Sequence, residues 1–292
     1  RDGSVNLAHL LVGSEGTLAL THSLRLQLSE LPRAKVLGVV NFPTFYKAMD
    51  SAQHIVRMGQ SGSADGAMLS AVELVDRTMI ELSLQNPAFA STIRTALIGQ
   101  PDAILLVEFS GPSKADLLPK MRALEELMGD LGLPGSVVQM IDDAPQKNLW
   151  EVRKAGLNIM MSLRGDGKPV SFIEDCAVPL EHLAEYTDAL TQVFRKHGSR
   201  GTWYAHASVG TLHVRPILDM RREGATKMRA IAEEASALVQ KYKGAYSGEH
   251  GDGLSRTAFL RSQYGPLYRV FQDVKGIFDP RNLMNPGKIL RA

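Results

Sequence analysis

Residues 104–141, ILLVEFSGPSKADLLPKMRALEELMGDLGLPGSVVQMI, decide the fold of this chain. The first six residues are a mostly apolar run of the kind that forms a buried strand. Residues 113–131 then carry apolar side chains at the spacing of one face of a helix, and residues 136–141 are again strand-like. The stretch therefore predicts a β-α-β unit.

The preceding part of the chain has the same pattern. Residues 34–42 predict a strand, residues 44–58 a helix and residues 67–75 a strand, whereas residues 76–98 are helical with a break at Asn86-Pro87. Two β-α-β units in this order form the split βαβ arrangement of a ferredoxin-like sheet. We therefore predict an α+β fold with an antiparallel sheet and flanking helices.

The remaining segments extend this fold. We predict helices over residues 144–157, 180–197, 221–243 and 264–277, and a strand over residues 169–178. Near the start of the chain, apolar bursts over residues 8–29 predict two strands around a glycine-rich turn. Leu31-Pro32 ends that pattern and marks a predicted domain boundary. The turn consists of Gly13, Ser14, Glu15, Gly16 and Thr17.

Residues 202–215 predict a β-hairpin that carries His206 and His213. A turn centred on residues 209–210 would place the two histidines directly opposite each other, on one face, with Cβ atoms about 5 Å apart. Two imidazoles in this arrangement can bind a divalent metal ion, and Glu249 can supply a third ligand while one position stays open for substrate. The alternative is that the histidines pack in a core.

Composition excludes several classes of protein. The chain has 292 residues, 44% of them hydrophobic, and a net charge of +2, and its arginines are scattered, which argues against a nucleic-acid-binding protein. No apolar run approaches the ~18–20 residues of a membrane span, and no signal peptide is recognisable. The single cysteine, Cys176, excludes an internal disulfide and fits a reducing, cytoplasmic compartment.

Four motifs occur in order along the chain: LVGSEGTL at 11–18, YAHASVGTLH at 204–213, SGEHGDG at 247–253 and FDPRNLMNPGK at 278–288. Together they resemble the FAD-linked oxidase and dehydrogenase family. This family of p-cresol methylhydroxylase-type flavoproteins includes D-lactate, D-2-hydroxyglutarate and glycolate dehydrogenases. The resemblance covers nearly the whole chain.

The resemblance implies a domain plan and a set of cofactors. Residues 1–31 would be the last strands of an FAD-binding domain, residues 32–263 a ferredoxin-like substrate domain, and residues 264–292 a helix and turn that return to the flavin side. The pyrophosphate-binding loop would lie upstream, so we expect this fragment alone to bind FAD poorly and to be inactive. The hairpin motif is most similar to that of long members with an iron–sulfur region further downstream.

The resemblance also implies roles for individual residues. His250 matches the catalytic base, and Arg153 matches an arginine that holds a substrate carboxylate; Lys168 and Arg215 would add positive charge for a small anionic 2-hydroxy acid. Many members have Gly-Asp-Gly-Asn where this chain has residues 208–211, Ser-Val-Gly-Thr, which puts the metal site in doubt. The residues near the flavin would be Gly13, Ser14, Glu15, Gly16, Thr17 and Asn285, and the ligands of a zinc or manganese ion would be His206, His213 and Glu249.

Other interpretations stay open at this point. Residues 13–17 can be a plain β-turn, His250 can serve only to hold its own loop, and Arg153 can be an exposed helix arginine. The whole chain can be a non-catalytic domain that binds a metal or a partner, or a metal hydrolase built from two histidines and a glutamate. The electron acceptor, expected to differ from NAD, is unknown. A homodimer and a peripheral position at the inner membrane are further expectations.

Overall fold

The structure, a computed structural model, describes residues 3–60 and 66–290. The chain divides into two compact units. The sheet unit consists of residues 31–244, and the terminal unit combines residues 1–30 with residues 245–292. The domain boundaries expected from the family resemblance stay a prediction.

The helices and strands follow one another through both units. Within the described residues, no helix is both long enough and apolar enough to cross a membrane. In chain order the elements are α1 (Leu7–Leu11), β1 (Ala34–Phe42), α2 (Phe45–Gln60), β2 (Met68–Asp76), α3 (Arg77–Gln85), α4 (Ala90–Ala96), β3 (Ala103–Gly111), α5 (Lys114–Asp130), β4 (Val137–Met140), α6 (Asp143–Lys154), α7 (Gly156–Met161), β5 (Lys168–Pro169), β6 (Cys176–Ala177), a 3₁₀ turn (Leu180–His182), α8 (Leu183–Lys196), β7 (Gly201–His206), β8 (Thr211–Leu218), α9 (Gly224–Lys241), α10 (Thr257–Tyr264) and α11 (Leu267–Phe278).

The strands of the sheet unit form one antiparallel sheet. Among the described residues its order is β4-β1-β3-β2-β7-β8-β5, and β6 pairs with β8. The order β4-β1-β3-β2, with α2 after β1 and α5 after β3, follows the two β-α-β units predicted from residues 34–141. The α+β class and the antiparallel sheet with flanking helices are confirmed.

Helices cover both faces of this sheet. On one face, Val39 and Leu106 belong to a buried cluster with Leu149 and Val152 of α6. On the other face, the ring of Trp203 in β7 lies 5.3 Å from Phe45 of α2 and 5.8 Å from Phe194 of α8. Each large apolar side chain buried in this way contributes about 1.5–3 kcal/mol. Because both faces are covered, the central strands need apolar residues at consecutive positions. This is why β3 could be predicted from the sequence.

Asp76 ends β2 and holds two neighbouring elements in place. Its side chain accepts hydrogen bonds from the backbone N–H of Met79, at the start of α3, and of Trp203 in β7, at 2.8 and 2.9 Å. The carboxyl group is buried, and burial raises its pKa from the ordinary 3.8 to about 6. The strand end, the helix start and the next strand are therefore joined by one group that resists ionisation.

This raised pKa predicts a pH dependence of stability. A carboxyl with a higher pKa in the folded state contributes stability that is fully present below about pH 4 and is lost as the pH rises through 6. We expect the unfolding free energy of the wild type, relative to Asp76→Asn, to fall by about 2 kcal/mol from pH 4 to pH 7. Urea denaturation of both proteins across this range measures the difference. A difference that does not vary with pH would contradict the prediction.

Two of the predicted strand regions are wrong. The two strands expected over residues 8–29 are absent from the described chain. Residues 7–11 form a helix, and residues 19–29 have no assigned secondary structure, because no neighbouring strand among the described residues forms a ladder with them. The strand predicted over 169–178 is reduced to β5 and β6, since Asp175 adopts a φ of 96° that interrupts an extended chain. The helix predicted over 264–277 is confirmed as α11, which begins three residues later, at Leu267, because Gly265-Pro266 precedes it. The shorter helix α10 was not predicted.

Candidate functional site

The hairpin formed by β7 and β8 places its two histidines on one face of the sheet, as predicted, but in a different register. Tyr204 lies opposite His213, and His206 lies opposite Thr211. The pairing of His206 with His213 expected from the sequence is therefore wrong by two residues. Since side chains alternate with a period of two, this shift leaves both histidines on the same face and makes them diagonal neighbours.

The two imidazoles lie close together in spite of the shifted register. Their ring centroids are 4.9 Å apart, and the planes are perpendicular. A ring nitrogen of each comes within 4.8 Å of the other. Two nitrogens bound to one tetrahedral zinc ion are about 3.3 Å apart, given Zn–N bonds of about 2.0 Å. A modest rotation of the side chains can therefore bring both nitrogens onto one ion.

Glu73 of β2 adds a carboxylate to this face. It lies opposite His206 in the sheet. Its Oε1 is 2.7 Å from Nδ1 of His206, and its Oε2 accepts a hydrogen bond of 2.7 Å from Nη2 of Arg153. Histidines that bind metals usually hydrogen-bond a carboxylate through the other ring nitrogen, so this contact fits a metal-binding role for His206.

Arg153 and Arg215 lie on the same side of the sheet and share an aromatic neighbour. The guanidinium carbons are 4.7 and 5.8 Å from the centre of the Tyr204 ring. Arg153 is only 12% exposed, which excludes the exposed helix arginine considered above. Arg215 donates to Glu174 at 2.6 Å, and an oxygen of Glu174 lies within 4.8 Å of a ring nitrogen of His213.

We use the name polar cluster for these seven side chains of the sheet unit. They come from four segments that are far apart in the sequence: β2, α6, the turn before β6, and the β7–β8 hairpin. Most of these charged groups are in contact and largely buried. The electrostatic interaction between two of them is therefore stronger than that of an ion pair in open solvent. The polar cluster consists of Glu73, Arg153, Glu174, Tyr204, His206, His213 and Arg215.

Lys168 is not part of the polar cluster. It lies opposite Leu218, five residues beyond His213 on β8, which is about 16 Å along the strand. Its Nζ donates to the carbonyl of Leu163 at 2.5 Å. Its predicted contact with substrate stays a prediction that the position of β5 does not favour.

In the terminal unit, the turn predicted to line a flavin is tied to the glycine-rich loop. The carboxylate of Glu15 accepts hydrogen bonds from the backbone N–H of Asp252 and Gly253, at 2.6 and 2.9 Å. A side chain at Gly251 would meet this carboxylate, since its Cβ would lie 2.6 Å from Oε1 of Glu15. Asn285 donates to the carbonyl of Glu15 at 2.6 Å. Two separate predicted cofactor elements, residues 13–17 and Asn285, therefore meet.

Glu249 and His250 lie in the same loop of the terminal unit. Nε2 of His250 is 3.5 Å from a carboxylate oxygen of Glu249, and both side chains are more than 40% exposed. Gly13, Ser14 and Thr17 line a cavity of about 300 Å³ together with the rings of Tyr264 and Phe271. The rest of the lining is mostly aliphatic, and a mostly apolar wall with two aromatic rings suits a planar ring.

Lys275 and Asp279 hold the C-terminal part of the terminal unit. Nζ of Lys275 donates to the carbonyls of Thr17 and Met284 and to the carboxylate of Asp279. Asp279 also accepts from the N–H of Leu283 and of Met284. The hydrogen bond from Lys275 holds the pKa of Asp279 at about 2, below its ordinary 3.8. The Lys275–Asp279 ion pair and the backbone hydrogen bonds that both side chains make therefore hold residues 279–284 in place.

This lowered pKa predicts an acid transition. A carboxylate with a depressed pKa contributes stability that is present above about pH 4 and is lost as the pH falls through 2. We expect the amide NMR signals of Leu283 and Met284 to titrate with a midpoint near pH 2, and Asp279→Asn to remove this titration. A midpoint near 3.8 in the wild type would show that the ion pair does not hold the carboxylate.

Glu73, Glu174 and Tyr204 were not recognised as functional candidates in the sequence. Glu73 carries a usable signal, because it is a charged residue within the apolar run of β2, Val72-Glu73-Leu74-Val75. A charge in a buried strand is costly unless it is paired, so such a residue indicates a partner. The sequence does not reveal which partner this is.

Known proteins resemble the chain over nearly its whole length. D-2-hydroxyglutarate dehydrogenase of Escherichia coli is 32% identical over 97% of this chain, and a probable mitochondrial D-lactate dehydrogenase of Danio rerio is 30% identical over 98%. The chain spans 28% and 54%, respectively, of the length of these relatives. Among solved structures, p-cresol methylhydroxylase with substrate bound superposes with a TM-score of 0.64 at 14% identity, covering 88% of this chain and 53% of the other, which indicates a shared fold.

The family assignment rests on a match to most of the chain. Residues 31–289 match the family described as FAD linked oxidases, C-terminal domain. This range includes every strand of the sheet and all members of the polar cluster. The chain therefore belongs to the FAD-linked oxidases and comprises their C-terminal domain.

Proposed function

We propose that this chain is the substrate-binding part of an FAD-dependent dehydrogenase that oxidises a D-2-hydroxy acid to the 2-keto acid. The family and the names of the relatives support the reaction class. The polar cluster supports the substrate class, because it offers two guanidinium groups and two imidazoles for an acid that carries a carboxylate and a hydroxyl group.

The observation that carries the proposal is a buried hydrogen-bond donor of Arg153 that has no acceptor in the described part of the chain. Its Nη2 is held by Glu73, and its Nε is buried without a hydrogen-bond partner among the residues that the structure describes. A buried donor without an acceptor is costly, by about 1–3 kcal/mol, and such donors are typical of sites that a ligand completes. A substrate carboxylate is the acceptor that suits a guanidinium best.

The charges of the polar cluster explain why a metal ion belongs to the proposal. Glu73 and Glu174 balance Arg153 and Arg215, so these four groups carry no net charge. A zinc or manganese ion at His206, His213 and Glu249 would supply the positive charge that attracts an anion and would polarise its hydroxyl group. We expect the acid to bind more tightly in the presence of the metal.

The remaining roles follow the reaction. FAD, when bound, supplies the acceptor for the hydride that leaves C2 of the acid. The ring of His250 takes up the hydroxyl proton, because an imidazole nitrogen with a free lone pair can act as a general base. Arg153 fixes the carboxylate end of the substrate, so that the hydroxyl group points in one direction.

Reduction of an acceptor dye by the longer protein that contains this chain tests the proposal. We expect turnover with D-lactate, D-2-hydroxyglutarate or glycolate. Arg153→Lys keeps the charge but loses the planar fork, so it should raise KM by about 10- to 100-fold. His250→Asn should lower kcat by about 10²- to 10⁴-fold. Arg229→Ala, at an exposed ion pair with Glu233, serves as the control. Absence of dye reduction with every 2-hydroxy acid would overturn the proposal.

A further inference from the structure

We propose that Glu73 is a positioning residue that sets both the tautomer of His206 and the orientation of Arg153. The inference rests on the proposed function in one respect, since His206 is there a metal ligand and Arg153 a substrate ligand. Its own basis is the geometry of a single carboxylate, whose two oxygens contact two different functional side chains at 2.7 Å each.

The pairing with Arg153 determines how Glu73 interacts with His206. A carboxylate in an ion pair with a guanidinium is ionised, and an ionised carboxylate can only accept hydrogen bonds. Nδ1 of His206 must therefore carry a proton and donate it to Glu73. In the neutral imidazole, Nε2 then has the lone pair that a metal ion requires.

The position of Glu73 in the sheet restricts the movement of its side chain. Glu73 is 8% exposed and lies in the interior of β2, between β3 and β7, so its backbone is fixed by strands on both sides. Its side chain is opposed by His206 across the sheet and is reached by Arg153 from α6. A buried carboxylate with two such partners cannot turn away from one of them without leaving it unpaired.

The arrangement couples the two predicted ligand sites. Rotation of Glu73 away from Arg153 would also remove the acceptor of Nδ1 in His206. One residue therefore holds the group that binds the substrate carboxylate and the group that binds the metal in a fixed relation. Glu73→Gln would disturb this relation, because an amide can accept from His206 only if its NH₂ group faces the donor Nη2 of Arg153.

The test uses the 292-residue chain and two readouts. Nitrogen-15 NMR of the histidine rings, with His206 assigned by its loss in His206→Ala, reports the tautomer. Titration calorimetry with Zn²⁺ reports metal affinity. We expect the wild type to show the Nδ1–H tautomer at His206. We expect Glu73→Gln to shift His206 towards the Nε2–H form and to weaken Zn²⁺ binding by about 10- to 100-fold.

Glu108→Gln is the matched control. Glu108 is 5% exposed in β3 of the same sheet and accepts hydrogen bonds from Lys35, Ser70 and Trp150, none of which belongs to the polar cluster. Its replacement removes an equally buried carboxylate from the sheet. We expect it to leave both the tautomer of His206 and the affinity for Zn²⁺ unchanged.

The outcomes separate this inference from the proposed function. If the wild type binds Zn²⁺ and Glu73→Gln changes neither readout, the inference is wrong and the metal site stands. If the wild type binds no Zn²⁺ but Glu73→Gln alters the tautomer, the metal site is wrong and the positioning role is supported. If Glu73→Gln fails to fold, the wild type alone decides, because an Nε2–H tautomer at His206 overturns the inference.

Discussion

Replacing both His206 and His213 with alanine is expected to reduce the zinc content of the chain from about one ion to none. The two rings lie at right angles with centroids 4.9 Å apart on the same face of the sheet, and Glu73 orients one of them. A catalytic zinc site usually has three protein ligands, so the loss of two leaves one ligand that cannot hold the ion. Elemental analysis after dialysis, supported by calorimetry with Zn²⁺, measures the change.

His197→Ala is the control for this experiment. His197 lies at the end of α8, where its Nε2 contacts Glu234 at 2.7 Å, outside the polar cluster. Its removal should leave the zinc content unchanged, which would show that the site depends on two particular histidines and not on histidine content. A double variant that retains one zinc ion would place the metal elsewhere, and a wild type without zinc would favour a packing role for both rings.

Gly210→Ala is expected to destabilise the sheet unit by about 3 kcal/mol or more. Gly210 ends the loop between β7 and β8 at a φ of +72°, which costs other residues about 1 kcal/mol or more. A Cβ at this position would lie 2.0 Å from the carbonyl oxygen of Val178. The loop and the backbone next to β6 must then separate, although the N–H of Val178 donates to the carbonyl of Gly210. Urea denaturation measures the loss of stability.

Gly129→Ala is the matched control for the same unit. Gly129 lies within α5, and no heavy atom comes within 4 Å of a Cβ built there. Alanine is the better helix former by about 1 kcal/mol, so this variant should be slightly more stable than the wild type. Equal stabilities of Gly210→Ala and Gly129→Ala would show that the hairpin loop adapts to a side chain. Because the loop connects the strands that carry His206 and His213, we expect Gly210→Ala to weaken Zn²⁺ binding as well.

The candidate site could be predicted only in part from the sequence. His206, His213 and Arg215 were found because they lie within one hairpin, where alternation of side chains decides which residues share a face. Arg153 was found through the family resemblance, and the structure places it among these residues. Glu73 was missed since its two partners are 80 and 133 residues away along the chain, and no local pattern encodes such contacts.

The sequence is sufficient to predict the order and type of most helices and strands of the sheet unit, because apolar periodicity is a local property. It also determined that His206 and His213 share a face, since a period of two survives a register shift of two residues. Tertiary structure alone decided the register of the hairpin, the pairing of Glu73 with both His206 and Arg153, and the distance of Lys168 from the polar cluster. These features depend on which strands are adjacent, and the adjacency of strands depends on packing across the whole sheet.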